Sequence, residues 1–284
     1  MLYDALFYEK LDEKVKCYLC PHHCVISEGK FGLCSVRTNA GGALKTINYG
    51  EITAMALDPI EKKPLYHFEP GSKILSVGSF GCNFSCGFCQ NYSIAHHRAE
   101  SKYYAPHELV DIIANIKDNI GIAFTYNEPS IWYEYVYDTS KLLKEKHPDF
   151  KVVLVTNGYI ESEPLAKLLP YVDAMNIDLK SFNQDFYKKE CRGDLDYVKR
   201  TIEEAYKKCH VEITTLLISG FNDSMKEVEE IAAYLSSLDK SIPLHLSRYF
   251  PNYKMDRPPT DISVMIKAKD IAKKYLDYVY LGNV

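Results

Sequence analysis

The chain has 284 residues, 46% hydrophobic and 25% charged, a balance ordinary for a soluble globular enzyme and long enough for one large domain with a small appendage. A formal net charge of −4 sets up no field that would draw nucleic acid. No apolar run reaches membrane-spanning length, and the first ten residues carry acidic side chains without a small-residue cleavage site, so a cytoplasmic location is expected.

In a reducing compartment, clustered thiols more often bind metal than form disulfides. Seven of the nine cysteines fall in two clusters, and the first one opens the chain. Cys17, Cys20, Cys24 and Cys34 supply four thiols, enough to close a site for zinc or for an auxiliary iron–sulfur cluster, with zinc ahead of the cluster. His22 or His23 is an alternative ligand, and a set of inert thiols is the plainer reading. Residues 43–57 read as strands broken at Tyr49-Gly50, and a proline-punctuated stretch follows over 58–71. Residues 1–72 are therefore expected to form a metal-binding appendage and linker, and residues 73–284 the main domain.

From residue 73 onward, apolar β-rich runs alternate with amphipathic helical patterns. The strand-like runs are 73–80, 120–126, 151–157, 174–180, 211–218, 244–250 and 278–281. Several are apolar almost throughout, as strands of a parallel sheet covered on both faces must be. Helical segments fill the gaps. Pro106 opens one with Leu109, Ile112, Ile113 and Ile116 on a face, and 224–238 is another with Val228, Ile231, Ala232 and Leu235 in register. Repeated strand–helix units predict a right-handed parallel α/β sheet, open or closed into a full or partial barrel. Ligands of such folds bind at the carboxyl ends of the strands. Polar residues gather at those ends: Asn127-Glu128, Thr156-Asn157, Asp178 with Lys180, Ser219-Gly220, and Arg248. Ordinary turn chemistry explains any one of them; five beside a cysteine loop favour a site. His245 lies three residues from Arg248, so one alternating strand puts the two on opposite faces, and His245 is set aside.

That loop is Gly81-Cys-Asn-Phe-Ser-Cys-Gly-Phe-Cys-Gln-Asn91, directly after the first strand of the main domain. Three thiolates in so short a loop can hold three corners of an iron–sulfur cube and leave the fourth iron open, as a catalytic centre requires. Zinc with His96 or His97 as fourth ligand, or three buried thiols, are the competing readings. Neither explains three cysteines in eight residues at a strand's carboxyl end.

The loop, with aromatic Phe88 before its last cysteine, resembles the signature of the radical S-adenosylmethionine (SAM) superfamily, whose fold is a partial (β/α)6-type barrel. The resemblance implies that Cys82, Cys86 and Cys89 hold a 4Fe–4S cluster. The cluster reductively cleaves SAM to a 5′-deoxyadenosyl radical, which takes hydrogen from a substrate. Thr125-Tyr-Asn-Glu-Pro129 stands where the superfamily's Gly-Gly-Glu motif falls, with Tyr126 and Asn127 in place of glycines, so Glu128 is expected at the SAM amino group. Val155-Thr-Asn-Gly158 and Asn176-Ile-Asp-Leu-Lys180 resemble strands of the pyruvate formate-lyase activating enzymes, which assigns Asn157, Asp178 and Lys180 to the SAM ribose and carboxylate. Leu217-Ile-Ser-Gly220 resembles the strand flanking adenine, and Arg248 suits the SAM carboxylate or an anionic substrate.

Within the superfamily, Cys20-Pro-His-His-Cys24, Asp58-Pro-Ile-Glu-Lys-Lys-Pro64 and Ser247-Arg-Tyr-Phe-Pro251 resemble the AmmeMemoRadiSam system enzymes. That likeness implies Memo-type protein partners and an electron donor such as flavodoxin or ferredoxin. The alternatives are a glycyl-radical enzyme activase and a non-catalytic Fe–S or zinc scaffold. Cys191 and Cys209 are read as ordinary unligated cysteines, and Tyr133, Tyr135 and Tyr137 as helix packing.

Overall fold

A computed structural model describes residues 2–284. Its centre is one eight-stranded sheet whose spatial order follows the chain: β1 (Ala54–Pro59), β2 (Lys73–Gly78), β3 (Asn119–Phe124), β4 (Lys151–Thr156), β5 (Ala174–Asp178), β6 (His210–Leu217), β7 (Leu244–Arg248) and β8 (Val279–Gly282). From β2 to β8 every pair is parallel. Such pairs need crossovers, supplied by α1 (Pro106–Asn115), α2 (Tyr133–Lys146), α3 (Ser162–Leu168), α4 (Leu195–Tyr206), α5 (Met225–Leu238) and α6 (Ile262–Ala272). With β1 and β8 as its two edges, the sheet is a partial barrel of the expected α/β class.

The helices begin where the sequence offers an acceptor for their free amides. Asp194, Ser224 and Asp261 cap α4, α5 and α6 through their side chains, and Pro106, which lacks an amide hydrogen, opens α1. The apolar stripes named in α1 and α5 face inward, with Leu109, Ile113, Val228, Ile231, Ala232 and Leu235 all buried.

All seven expected strands are present, with ends that move by no more than two residues. The boundary at residue 72 is different. Ala54–Pro59, assigned by the sequence reading to the appendage, is the edge strand of the main sheet, paired antiparallel with β2 from Ala54↔Gly78 to Pro59↔Lys73. Six of the remaining N-terminal strands form two small antiparallel sheets, Tyr3–Asp4 with Ala43–Thr46 and Arg37–Ala40, and Tyr8–Leu11 with Lys14–Cys17 and Val25–Ser27, while Glu51–Ile52 pairs antiparallel with Lys102–Tyr103. They sit against α2 through the buried Arg37–Glu134 ion pair and through Tyr49, whose hydroxyl donates to Asp138 at 2.7 Å. Among the described residues, no helix is long and apolar enough to cross a membrane.

Inside the barrel, strand alternation puts every second residue toward the lumen. Asn176, Glu212, Thr214, His245, Ser247 and Tyr280 fall on that face. Glu212 is the hub of the barrel floor. It accepts from His245 at 2.6 Å, His210 at 3.0 Å, and the backbone amides of Tyr66 and His67 at 3.0 and 2.7 Å. Asn176 donates to the Pro64 carbonyl at 2.8 Å and accepts from Thr214 at 2.9 Å. These bonds draw the segment after Lys63 under the barrel and aim Pro64 and Tyr66 at the cavity above.

Burial alone would raise the Glu212 pKa, but its hydrogen bonds outweigh that and hold it at about 2, below its ordinary 4.5. The folded-state pKa is depressed, so the associated stability is complete above 4.5 and is lost as pH falls toward 2. The size is about 3 kcal/mol. Glu212→Gln should therefore flatten the fall in thermal midpoint between pH 5 and pH 3 relative to the parent. Parallel curves for the two proteins would show that the carboxylate is not the titrating group.

Candidate active site at the barrel mouth

The cysteine loop leaves β2 at Gly78 and crosses the carboxyl ends of the neighbouring strands. Gly78 has no room for a side chain, because a Cβ there would lie 2.7 Å from the Thr125 carbonyl oxygen. Gly81 adopts φ +90°, a conformation that favours glycine, with Cys34 and Val36 of the N-terminal module pressed against its Cα.

Neighbours hold the loop on several sides. Asn127, after β3, accepts from the Ser79 amide at 2.9 Å and donates to the Gly81 carbonyl at 3.2 Å. Asn157, after β4, donates to Asn83 Oδ1 at 2.8 Å and stands 3.8 Å from Cys82 Sγ. Asn83 donates onward to the Tyr159 carbonyl, and its own carbonyl meets His22 Nε2 at 2.8 Å. The Ser85 amide donates to the Cys191 carbonyl and the Lys254 amide to that of Gly87. Phe84 wedges between Tyr159 and Tyr187, over Gly193.

Cys82, Cys86 and Cys89 all line one cavity of about 530 Å³ at the mouth of the barrel. Phe88, Glu128, Asn157, Asp178 and Lys180 line it with them, so the structure brings eight of the ten residues predicted around the cluster and SAM into a single space. Burial pushes the Cys82 and Cys89 thiols up, whereas a hydrogen bond with Cys191 draws Cys86 down. Metal binding at these thiols must therefore release protons. Cys191, fully buried behind Cys86, is absent from the cavity lining.

Lys180 and Asp178 form an ion pair at 2.8 Å. Burial alone would lower the Lys180 pKa, but Asp178 and the nearby thiols raise it well above its ordinary value, so the ammonium stays charged. Glu128 is 2% exposed and accepts from Ser130 N, Thr156 Oγ1 and Asn157 N at 2.9, 2.6 and 2.8 Å. A carboxylate has about four acceptor directions, so one is left toward the cavity.

Arg248 and Gly220 are not brought to the cavity. The lumen face of β7 carries His245 and Ser247, and Ser247 lines the cavity. Arg248 is out of phase and donates instead to the Thr260 carbonyl at 2.7 Å. Gly220 sits in a turn at φ +74°, where its amide donates to Asp223. His96, the rival fourth ligand for zinc, lies on the outer side of the loop in a separate cleft with Ser85 and Gly87.

Sequence reasoning missed Glu61, Lys62, Pro64 and Tyr66 at the opposite wall, and Thr214 and Ser247 on the strands. The strand residues carried a signal, since they share the alternation phase of Asp178. The 61–66 segment showed only as a linker. Its anchor is Asp58, which pairs with Lys62 and with buried Lys63 at 3.1 and 2.9 Å and accepts from the Tyr126 hydroxyl at 2.9 Å.

The donor set suits an iron–sulfur cluster. Three soft thiols converge from one loop on a cavity whose lining, among the described residues, holds no histidine and no fourth cysteine. Comparison with known proteins agrees. Residues 76–235 match the Radical SAM superfamily. An uncharacterized protein of Methanocaldococcus jannaschii is 44% identical over 99% of this chain and 85% of its own length. A putative glycyl-radical enzyme activating enzyme of the same organism is 31% identical over 75% of this chain and 82% of that one. The crystal structure of Streptococcus suis SuiB bound to S-adenosylmethionine superposes with a TM-score of 0.56 at 14% identity, covering 74% of this chain and 51% of that one, a likeness of fold alone.

Asn157→Ala would strip partners from buried Asn83 and from the Tyr159 amide, which it also holds at 2.8 Å. Each orphaned group costs about 1–3 kcal/mol. The variant should lose about 2 kcal/mol in urea unfolding and take up less iron on reconstitution. Unchanged iron uptake would show that the loop keeps its shape without Asn157.

Proposed function

We infer, from the chain's membership of the radical SAM superfamily, that it is an enzyme that reductively cleaves SAM and removes a hydrogen atom from a substrate, with methionine and 5′-deoxyadenosine as co-products. The superfamily works with a 4Fe–4S cluster and SAM. The observation that carries the reading is the convergence of Cys82, Cys86 and Cys89 with Glu128, Asp178 and Lys180 on one cavity at the strands' carboxyl ends.

When bound there, the cluster supplies the electron that breaks a carbon–sulfur bond of SAM. The chain's own residues do the rest. The three loop thiolates would hold the cluster, one ligand fewer than its four irons can take. Glu128 offers its remaining acceptor direction to the SAM ammonium. Lys180, kept charged by Asp178, offers donors to an anionic carboxylate, and Asp178 offers acceptors to ribose hydroxyls. Phe88, buried and 5.9 Å from the ring of Phe186, shields the cluster side of the cavity from water.

The substrate enters from the opposite wall, where Glu61, Lys62 and Tyr66 reach the cavity. Hydrogen abstraction needs near-attack contact, so that wall must hold the substrate closely. Memo-type companion proteins and a flavodoxin or ferredoxin as electron donor belong to this proposal through the family resemblance alone. A second reading, activation of a glycyl-radical enzyme, is favoured by the likeness to the putative activating enzyme.

The test is anaerobic. Protein reconstituted with iron and sulfide is given dithionite and SAM, and 5′-deoxyadenosine is measured by mass spectrometry. The parent should produce it and the Cys82/Cys86/Cys89→Ala variant should not. An intact cluster with neither product nor bound SAM would overturn the reading. Lys180→Met should weaken SAM binding, measured by equilibrium dialysis, by about 10- to 100-fold, the worth of a charge-assisted hydrogen bond. Unchanged affinity would remove Lys180 from the SAM contacts.

A further inference from the structure

The N-terminal module contains a second cysteine site. Cys17, Cys20, Cys24 and Cys34, which come from separate turns and strands, all line a single small void. Cys17, Cys20 and Cys34 are buried, and Cys24 is half-buried. The void is about 10 Å³, room for the centre of one water-sized sphere. Zinc needs each sulfur at about 2.3 Å. A water-sized sphere of about 1.4 Å radius cannot sit among sulfurs drawn in so far. The void that the four cysteines line is therefore wider than a zinc ion closed in by its ligands.

The surroundings suit an anionic group. Arg37, 1% exposed, lines the void, with Nη1 3.9 Å from Cys17 Sγ. Its Nε is buried without a partner. A guanidinium is always charged, and a buried donor left unpaired is costly. The Leu33 amide points at Cys24 Sγ from 3.5 Å, the kind of N–H···S contact that sets the potential of iron–sulfur centres. The module is also pressed against the catalytic loop. His22, on the lining of the void, bonds the Asn83 carbonyl, and the Cys34 carbonyl abuts Gly81.

We propose that Cys17, Cys20, Cys24 and Cys34 bind a second iron–sulfur cluster of the 4Fe–4S class, seated directly behind the catalytic loop. The step is a ligand substitution. A preassembled cluster is transferred from an iron–sulfur carrier: four thiols lose their protons to solvent, each sulfur bonds one iron in place of a carrier ligand, which leaves with the carrier, and no electron changes hands. Arg37 offsets the charge of the four thiolates. The site is closed to substrate because all four corners carry protein ligands.

The test is metal analysis of full-length protein purified anaerobically, with iron, acid-labile sulfide and zinc counted per chain and EPR recorded after dithionite, with and without SAM. The parent should carry about eight irons, as two such clusters demand. The Cys82/Cys86/Cys89→Ala variant, whose N-terminal module is untouched, should keep about four, with a signal that SAM does not alter. Cys20→Ser with Cys24→Ser should also keep about four, with a signal that SAM does alter. One zinc and no iron in the loop variant overturns the proposal, and so does that variant with neither metal. Loss of all SAM-sensitive signal from the Cys20/Cys24 variant, beside an iron-bearing loop variant, would count against the catalytic reading and leave this one standing.

Discussion

An eight-residue loop has to present three sulfurs in fixed relation, and it has little internal hydrogen bonding with which to do so. One backbone bond, from the Cys89 amide to the Cys86 carbonyl, closes a turn within it. Its shape is imposed from outside, by side chains at the ends of β3 and β4, by the Cys191 carbonyl, and by His22 from the N-terminal module. Each of these groups is held by a more rigid element. The loop thus inherits the precision of the parallel sheet, which is the reason a reactive site can rest on so short a segment.

The same logic explains the polar barrel floor. A carboxylate buried without partners would protonate or destabilise the fold. Glu212 is instead ringed by two imidazoles and two backbone amides, and the amides belong to a segment without regular structure. The hydrogen bonds that make Glu212 tolerable also order residues 64–67. Lys63 works the same way one step earlier. Its ammonium is buried, which lowers its pKa, and Asp58 opposes that shift through a direct ion pair. The wall facing the cysteines is therefore built by a stretch that looks like a linker but is pinned at Asp58, Asn176 and Glu212.

Much of this could be read from residues alone, because the parallel strands announce themselves as continuous apolar runs and Cys82, Cys86 and Cys89 fall within eight residues. β1 was read as a strand but given to the appendage, because it lies at an antiparallel edge where only Asp58 is buried and it runs into Pro59. Arg248 was misjudged because a charged residue at a strand end invites a site role whichever face it takes. The phase that puts Ser247 in the lumen follows from the register of β7 with β6, which pairs Ser247 with Leu216. The outer-wall residues needed three-dimensional knowledge, since nothing in a Pro-rich stretch says which strands it will cross.

The N-terminal module is coupled to the main domain more firmly than a flexible appendage would be. Arg37 is bound in the charged state between Glu134 on α2 and the Leu6 carbonyl, with the sulfur of Cys17 beside it. A buried pair of this kind adds little net stability compared with apolar packing, yet removing one partner costs about 3–5 kcal/mol because the other is left as an unpaired buried charge. Evolution could have placed apolar residues here at no loss of stability. The ion pair makes sense if the guanidinium serves the cysteines as well as the helix. It then fixes where the four thiols sit relative to α2, and α2 follows the strand end that carries Glu128. The module and the barrel mouth are held in one frame, joined also by the contact of Cys34 with Gly81 and the bond of His22 to the Asn83 carbonyl.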